Sequence, residues 1–201
     1  MINRIVLASR NAGKLAELQA LFAPLGITLI PQSELQIAEA AEPHVTFVEN
    51  ALAKARHAAA ASGLPAVADD AGLCVDAFGG LPGVDTATYA TRLGYPRGDD
   101  QNVIALLEQM KHEPNRRAAL VSTLVAVRSP EDPEPLIAVG RAVGEIARER
   151  AGRNGFGFDP VMFIPAFGRT FAELPPDVKN AHSHRGQAAQ QMLQLIRDRW
   201  L

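Results

Sequence analysis

Two adjacent carboxylates, Asp69 and Asp70, stand at the end of a short apolar run, Ala66 to Ala68, inside the stretch PAVADDAGLCVDAFGGLPG from Pro65 to Gly83. Carboxylates held against a core can bind a hard cation such as Mg²⁺ or take a proton from water. Successive residues on a strand point to opposite faces, so the pair shares one task only if the chain turns there. Ala71 and Gly72 supply the predicted turn; a second apolar run, Leu73 to Val75, then leads to Asp76. A strand end of this kind is where an α/β protein usually places its chemistry. The plain alternative is a pair of solvated charges, and the apolar flanks on both sides argue against it.

A second candidate lies near the N-terminus. Arg4 to Ala8 reads as a buried strand, and SRNAGK, Ser9 to Lys14, leads into a helix with Leu15, Leu18, Leu21 and Phe22 on one face. Free N–H groups at a helix start attract phosphate, and Lys14 adds a full charge. Ser9 or Asn11 could equally serve as a simple helix cap, and the spacing is not that of a P-loop. A short strand, Ile27 to Ile30, and a polar loop over 31–45 with Glu34, Glu39 and Glu42 come next. Thr46 and Glu49 predict a capping box opening a helix, FVENALAKARHAAAAS, whose small-residue face carries Phe47, Ala51, Ala55 and Ala58. Of its polar groups, Arg56 reads as solvated, whereas Lys54, one turn beyond Asn50, can face the acidic pair.

Downstream, Asp99 to Lys111 is an amphipathic helix with Val103, Leu106, Leu107 and Met110 inward. The runs 119–127 and 136–146, joined by SPEDPEP, predict a hairpin that extends a sheet and offers a dimer surface. The segment GRNGFGFDPVMFIP, 152–165, starts as a glycine loop; Phe156 and Phe158 in it are either a hydrophobic plug or rings that stack on a planar ligand. Lys179, His182, His184 and Arg185 form a basic cluster beside Ser183, before a last helix with Met192, Leu193 and Ile196 inward. The histidine spacing is not that of a helical zinc pair, so the cluster reads as recognition of an anion or a heterocycle.

Composition narrows the classes. A chain of 201 residues suits one domain, or two lobes sharing a core. A formal net charge of −2 provides no bulk attraction to nucleic acid or to anionic membranes, so an anionic substrate must be held by a few local cations. The single cysteine, Cys74, fits a reducing cytoplasm and a buried, inert thiol. No apolar run is long enough to span a bilayer, and MINRIVLAS is too short for a signal-peptide core. A soluble cytoplasmic protein is expected.

Five pieces in this order, SRNAGK, FVENALAKA, ADDAGLCVDAFGGLPGV, GFGFDP and KNAHSHRGQA, run over nearly the whole chain and resemble the inosine triphosphate pyrophosphatase family. The resemblance implies an α/β fold with an elongated mixed central β-sheet flanked by helices, two lobes around a nucleotide-binding cleft, a single domain over 1–201, a homodimer and Mg²⁺ dependence. It implies hydrolysis of non-standard purine nucleoside triphosphates (ITP, dITP, XTP) to the monophosphate and pyrophosphate. Carried onto this chain, Ser9, Arg10, Asn11, Ala12, Gly13 and Lys14 resemble the phosphate loop. Asp70 matches the catalytic carboxylate, Glu42 and Asp70 the positions tied to Mg²⁺, and Lys54 a phosphate contact. Phe156, Gly157, Phe158 and Asp159 resemble the base-binding segment, with Lys179, His184 and Arg185 completing the purine pocket. The chain departs from the family pattern at Ala71, where a serine contact to substrate is usual, at Thr88, and at Ala41, where a further acid is common. Donation from Arg185 and His184 is expected to favour a 6-oxo purine over adenine. The rivals are a related pyrophosphatase for modified pyrimidine or 7-methylated nucleotides and a non-catalytic nucleotide sensor.

Overall fold

The computed structural model describes residues 2–201, the side chains of Ala12 and Leu25 excepted. In chain order its strands are β1 (Arg4–Leu7), β2 (Thr28–Pro31), β3 (Ala66–Val75), β4 (Arg117–Val127), β5 (Leu136–Ile146), β6 (Met162–Ile164) and β7 (Arg169–Thr170). The α-helices are α1 (Ala12–Phe22), α2 (Phe47–Ser62), α3 (Tyr89–Arg92), α4 (Asp99–Gln109), α5 (Pro176–His182) and α6 (His184–Arg199). The sheet is mixed, in the order β2-β1-β3-β4-β5-β6-β7. β1 runs parallel to β2 and to β3, whereas β5–β6 and β6–β7 are antiparallel. The chain divides into two compact units, the first comprising 1–70, 122–140 and 184–201, the second 71–121 and 141–183.

Alternation along the strands builds the first unit. Ile5 and Leu7 of β1, Val67 of β3 and Leu124 of β4 share one cluster with Leu18 and Phe22 of α1 and with Ala188, Met192 and Ile196 of α6. The intervening residues Val6, Ala66, Ala68, Val125 and Val127 pack instead against Ala51, Ala55, Ala58 and Ala59 of α2. Methyl-sized side chains at i, i+4, i+7 and i+8 let α2 lie close to the sheet. Phe47, assigned to that face from the pattern, is only half-buried. Val67 of β3 therefore looks toward α1 and α6, and Ala66 and Ala68 toward α2.

In the second unit, Val103 and Leu106 of α4 and its C-cap Met110 join Leu73, Val75, Tyr89, Phe158, Met162 and Phe171 in one core. Tyr89 bonds Gln109 through its hydroxyl, and Asn102 accepts the Ala90 N–H at 2.8 Å.

Three local expectations are corrected. No turn interrupts the acidic stretch: β3 runs unbroken from Ala66 to Val75, and Gly72 is not among the glycines of positive φ. β3 lies between β1 and β4 in the sheet, and this glycine serves as an ordinary strand residue. Thr46 does cap α2, accepting the Glu49 N–H at 3.4 Å, but the Glu49 carboxylate closes on the Thr46 hydroxyl. The reciprocal capping box is at Thr170 and Glu173. Helix α4 stops at Gln109, not Lys111, with Met110 as its C-cap.

Candidate functional site

Because β3 is straight, Asp69 and Asp70 face opposite ways and have different partners. Asp69 continues the Val67 face and meets groups from α1 and α6. Its Oδ2 accepts from Lys14 Nζ and Arg185 Nε, each at 3.0 Å, and its Oδ1 from the Ser122 hydroxyl at 2.6 Å. The carboxylate is wholly buried. Burial alone would raise its pKa, but Lys14, Arg185 and the Ser122 hydrogen bond drive it far below the usual carboxylate range. Asp69 therefore stays an anion throughout the physiological range.

Asp70 continues the Ala68 face and meets α2. Its Oδ1 accepts from Lys54 Nζ at 2.9 Å, and its Oδ2 lies 3.4 Å from Asn50 Nδ2. Lys54 also reaches Glu42 at 2.9 Å, so one ammonium bridges two carboxylates. Burial, with the Glu42 charge adding to it, holds the Asp70 pKa above its ordinary value despite Lys54. Glu42 is more exposed; burial raises its pKa less than the Lys54 bond and charge lower it, and the net is downward. Lys54 is desolvated, yet the two carboxylates raise its pKa, so it stays charged. Lys14 moves the other way: burial leads, Arg185 and Lys54 repel, and Asp69 offsets them only in part.

The phosphate-loop residues are placed as a helix start. Asn11 is the N-cap of α1, accepting the Lys14 N–H at 3.0 Å, and Ser9 accepts the Asn11 N–H at 3.2 Å. Both residues thus act as caps, and they shape the turn that carries Lys14. Arg10 is exposed, 3.9 Å from Glu39; the side chain of Ala12 lies outside the described residues. Arg185, expected in the purine pocket, has its guanidinium on Asp69 and on Glu17 at 2.5 Å. Those bonds tie its guanidinium into the charge balance around Asp69. His184 is buried at the start of α6.

The second unit carries the glycine-rich segment, and its two phenylalanines separate. Phe158 is core, edge-on to Tyr89 with ring centroids 6.4 Å apart, so of the two readings its ring is the hydrophobic plug. Phe156 is half-buried, with the Lys179 ammonium 5.1 Å from its ring centroid. Lys179 also pairs with Asp159 at 2.6 Å, and Asp159 accepts the Phe156 N–H at 2.9 Å. A Cβ at Gly155 would fall 2.0 Å from that carboxylate, so the close approach requires glycine there. Ala71 is half-buried on β3. His182 sits against Phe167, edge-on at 5.1 Å. Cys74 is half-buried, its thiol pKa pushed up by burial, consistent with the inert thiol expected.

Three residues escaped the sequence reading. Asn50 is buried; it accepts the His44 N–H at 3.0 Å and donates to the His44 carbonyl at 3.1 Å, which pins the loop carrying Glu42 beside Asp70. Ser122 is hidden in an apolar run, and Glu17 is one polar residue of the first helix. Only Asn50 left a signal, being a polar residue one turn before Lys54.

Among the described residues no cluster of three or more His, Cys, Asp or Glu suited to a metal is present. Glu42 and Asp70 provide two hard oxygen donors crowded on one ammonium. That fits a small divalent cation such as Mg²⁺, which takes one or two carboxylates and otherwise keeps water and phosphate oxygens. No described helix is long and apolar enough to cross a membrane.

A dITP/XTP pyrophosphatase of Albidiferax ferrireducens is 75% identical over 198 residues, covering 98% of this chain and 100% of that protein. One from Paracidovorax citrulli is 72% identical, with 98% and 99% covered. Among solved structures, a HAM1 protein from Coxiella burnetii matches with a TM-score of 0.90 at 44% identity, covering 98% of this chain and 100% of that one. The Staphylococcus aureus Ham1 protein matches with a TM-score of 0.84 at 32% identity, covering 97% and 98%. The family model described as the Ham1 family matches residues 5–195, and the chain belongs to that family.

Proposed function

We propose that this chain hydrolyses the α–β phosphoanhydride of non-standard purine nucleoside triphosphates, ITP, dITP and XTP, releasing the monophosphate and pyrophosphate. The observation that carries the reading is the division of labour at Asp69 and Asp70. One carboxylate is a permanent counter-ion for Lys14, and its neighbour has a raised proton affinity beside a second lysine. The names of the relatives point to two of these substrates, dITP and XTP.

In this reading Asp70 accepts the proton of a water that adds to the α-phosphorus. The bond from that phosphorus to the bridging oxygen breaks, and pyrophosphate leaves with the electron pair. Lys14 and Lys54 stabilise its developing charge, and the N-terminal turn of α1, with Ser9 to Gly13 before it, holds phosphate oxygens. Glu42 and Asp70 would hold Mg²⁺, which when bound offsets the charge of the triphosphate. Phe156 to Asp159 and Lys179 take the purine, with Phe158 contributing only backbone, and His184 is a further base contact. A cytoplasmic homodimer belongs to the same proposal. Ile137, Val139 and Val143, exposed apolar residues on the outward face of β5, are the surface offered to a second copy.

The test is pyrophosphate release from ITP, XTP, GTP and ATP, with and without Mg²⁺. Wild type is expected to favour ITP and XTP and to require the metal. Asp70→Asn is expected to lower kcat by about a hundredfold or more. Near-normal turnover by that variant, or equal use of ATP and ITP by wild type, refutes the assignment.

A further inference from the structure

We infer that Asp99, in the first turn of α4, is a positioning residue for purine binding, acting by fixing the glycine-rich segment over 152–159. The inference rests on the proposed nucleotide chemistry and adds to it a residue outside the motifs that suggested it. An acidic residue at a helix start is ordinarily accounted for by the dipole or by capping. Here the N-cap Gly98 makes no side-chain cap bond, and Asp99 Oδ2 instead accepts the backbone N–H of Gly157 at 3.1 Å.

That N–H lies at the middle of a segment whose shape is intrinsically weak. Gly152, Gly155 and Gly157 all adopt positive φ (82°, 76° and 59°), conformations glycine enters and leaves easily. The start of the segment is tied by Arg153 and Asn154 N–H groups to the Ala172 carbonyl, each at 3.0 Å. Its end is tied by Asp159, which accepts the Phe156 N–H. The Asp99 bond ties the centre to a helix whose own placement is fixed in the core by Val103, Leu106 and Met110. Arg150, just upstream, donates to the Asp100 carboxylate at 2.7 Å and to the Asp100 carbonyl at 2.9 Å, so two successive residues of one helical turn grip this segment. Gly157 has open space where a Cβ would stand, so crowding does not dictate its left-handed φ. With the Asp99 bond gone, Phe156, adjacent to Gly157, loses its fixed orientation, and ordering it on binding costs affinity.

The experiment compares wild type, Asp99→Ala and Asp99→Asn for pyrophosphate release from ITP, together with amide hydrogen exchange at Gly157. Asp99→Ala should raise KM for ITP about fivefold with kcat within about twofold, and should speed Gly157 exchange. Asp99→Asn, which keeps an acceptor oxygen, should bring both readouts most of the way back. Asp99 is exposed, so neither change threatens folding, and circular dichroism checks this. Wild-type turnover of ITP with an unmoved KM in Asp99→Ala overturns this inference alone. A fall in kcat at constant KM overturns it too, and absence of ITP hydrolysis by wild type overturns both it and the function on which it rests.

Discussion

Replacing Asp69 or Asp70 by asparagine removes the same atom from neighbouring residues, yet the two variants should fail differently. At Asp69 the amide can turn its oxygen toward Lys14 and Arg185 and its NH₂ toward the Ser122 hydroxyl, which accepts as well as donates. Hydrogen bonds survive and only the charge is lost, leaving two cations facing a neutral group in a buried site. Removing one member of a buried ion network costs about 3–5 kcal/mol, and the retained bonds place Asp69→Asn near the lower end, at about 3. For a chain of this size each kcal/mol moves Tm by roughly 2–4 °C, so a fall of about 6–12 °C is expected, and more for Asp69→Ala. Lys14 also loses the group that sustains its charge against burial, so phosphate affinity falls as well. Asp70→Asn leaves Lys54 with Glu42 at 2.9 Å, in a less enclosed setting, and should cost about 1 kcal/mol or less while kcat collapses. Calorimetry at pH 7, beside pyrophosphate release, measures both. A wild-type Tm for Asp69→Asn, or a larger Tm loss for Asp70→Asn, would refute the reasoning.

Two further expectations concern stability. Gly140→Ala should destabilise by about 3 kcal/mol or more, because the added Cβ would stand 1.9 Å from the His184 carbonyl oxygen and 2.6 Å from the Ala188 nitrogen, both backbone; a Tm within 2–3 °C (about 1 kcal/mol) of wild type would contradict it. Asp132, clasped by Arg128 in the 128–135 loop, has its pKa lowered to about 2, the Arg128 hydrogen bond being the main cause. A depressed carboxylate contributes stability that is whole above its unfolded pKa near 4 and is lost as pH falls toward 2. The shift corresponds to roughly 2 kcal/mol, and solvent reaching Arg128 reduces it to about 1. Asp132→Asn should therefore flatten the acid limb of an unfolding series between pH 4 and pH 2.

How much of this was legible depended on the range of the interaction. The strands β4 and β5, helix α2 and the capped start of α1 follow from periodicity and caps, which are local. So does the divergence of Asp69 and Asp70, once the strand is straight. Gly72 obscured it, because a glycine after two acids reads as a turn when the pairing that holds it extended lies elsewhere in the chain. The partners of Asp69 were out of reach for the same reason: Ser122 and Arg185 are separated from it by 53 and 116 positions. Phe156 and Phe158 differ by two residues and by one decisive fact, that Tyr89 packs on the second. No spacing rule contains that.

The buried trio of Asp69, Lys14 and Arg185 makes a poor stability device. Apolar residues of similar volume are often neutral or stabilising in place of a buried ion network, because desolvation offsets most of the attraction. What the trio provides is direction. Asp69 accepts from Lys14 both through its carboxylate at 3.0 Å and through its backbone carbonyl at 3.3 Å, which holds the ammonium at one place at the start of α1. Ser122 and Arg185 in turn hold the carboxylate, and Glu17 holds Arg185. A lysine fixed in this way meets a phosphate without first losing rotamer freedom, whereas an exposed one would have to be ordered on binding. On this argument Ser122→Ala should cost little in thermal stability compared with Asp69→Asn, and should appear chiefly as a higher KM for the triphosphate. A variant with unaltered KM would mean that Asp69 needs no help to aim Lys14.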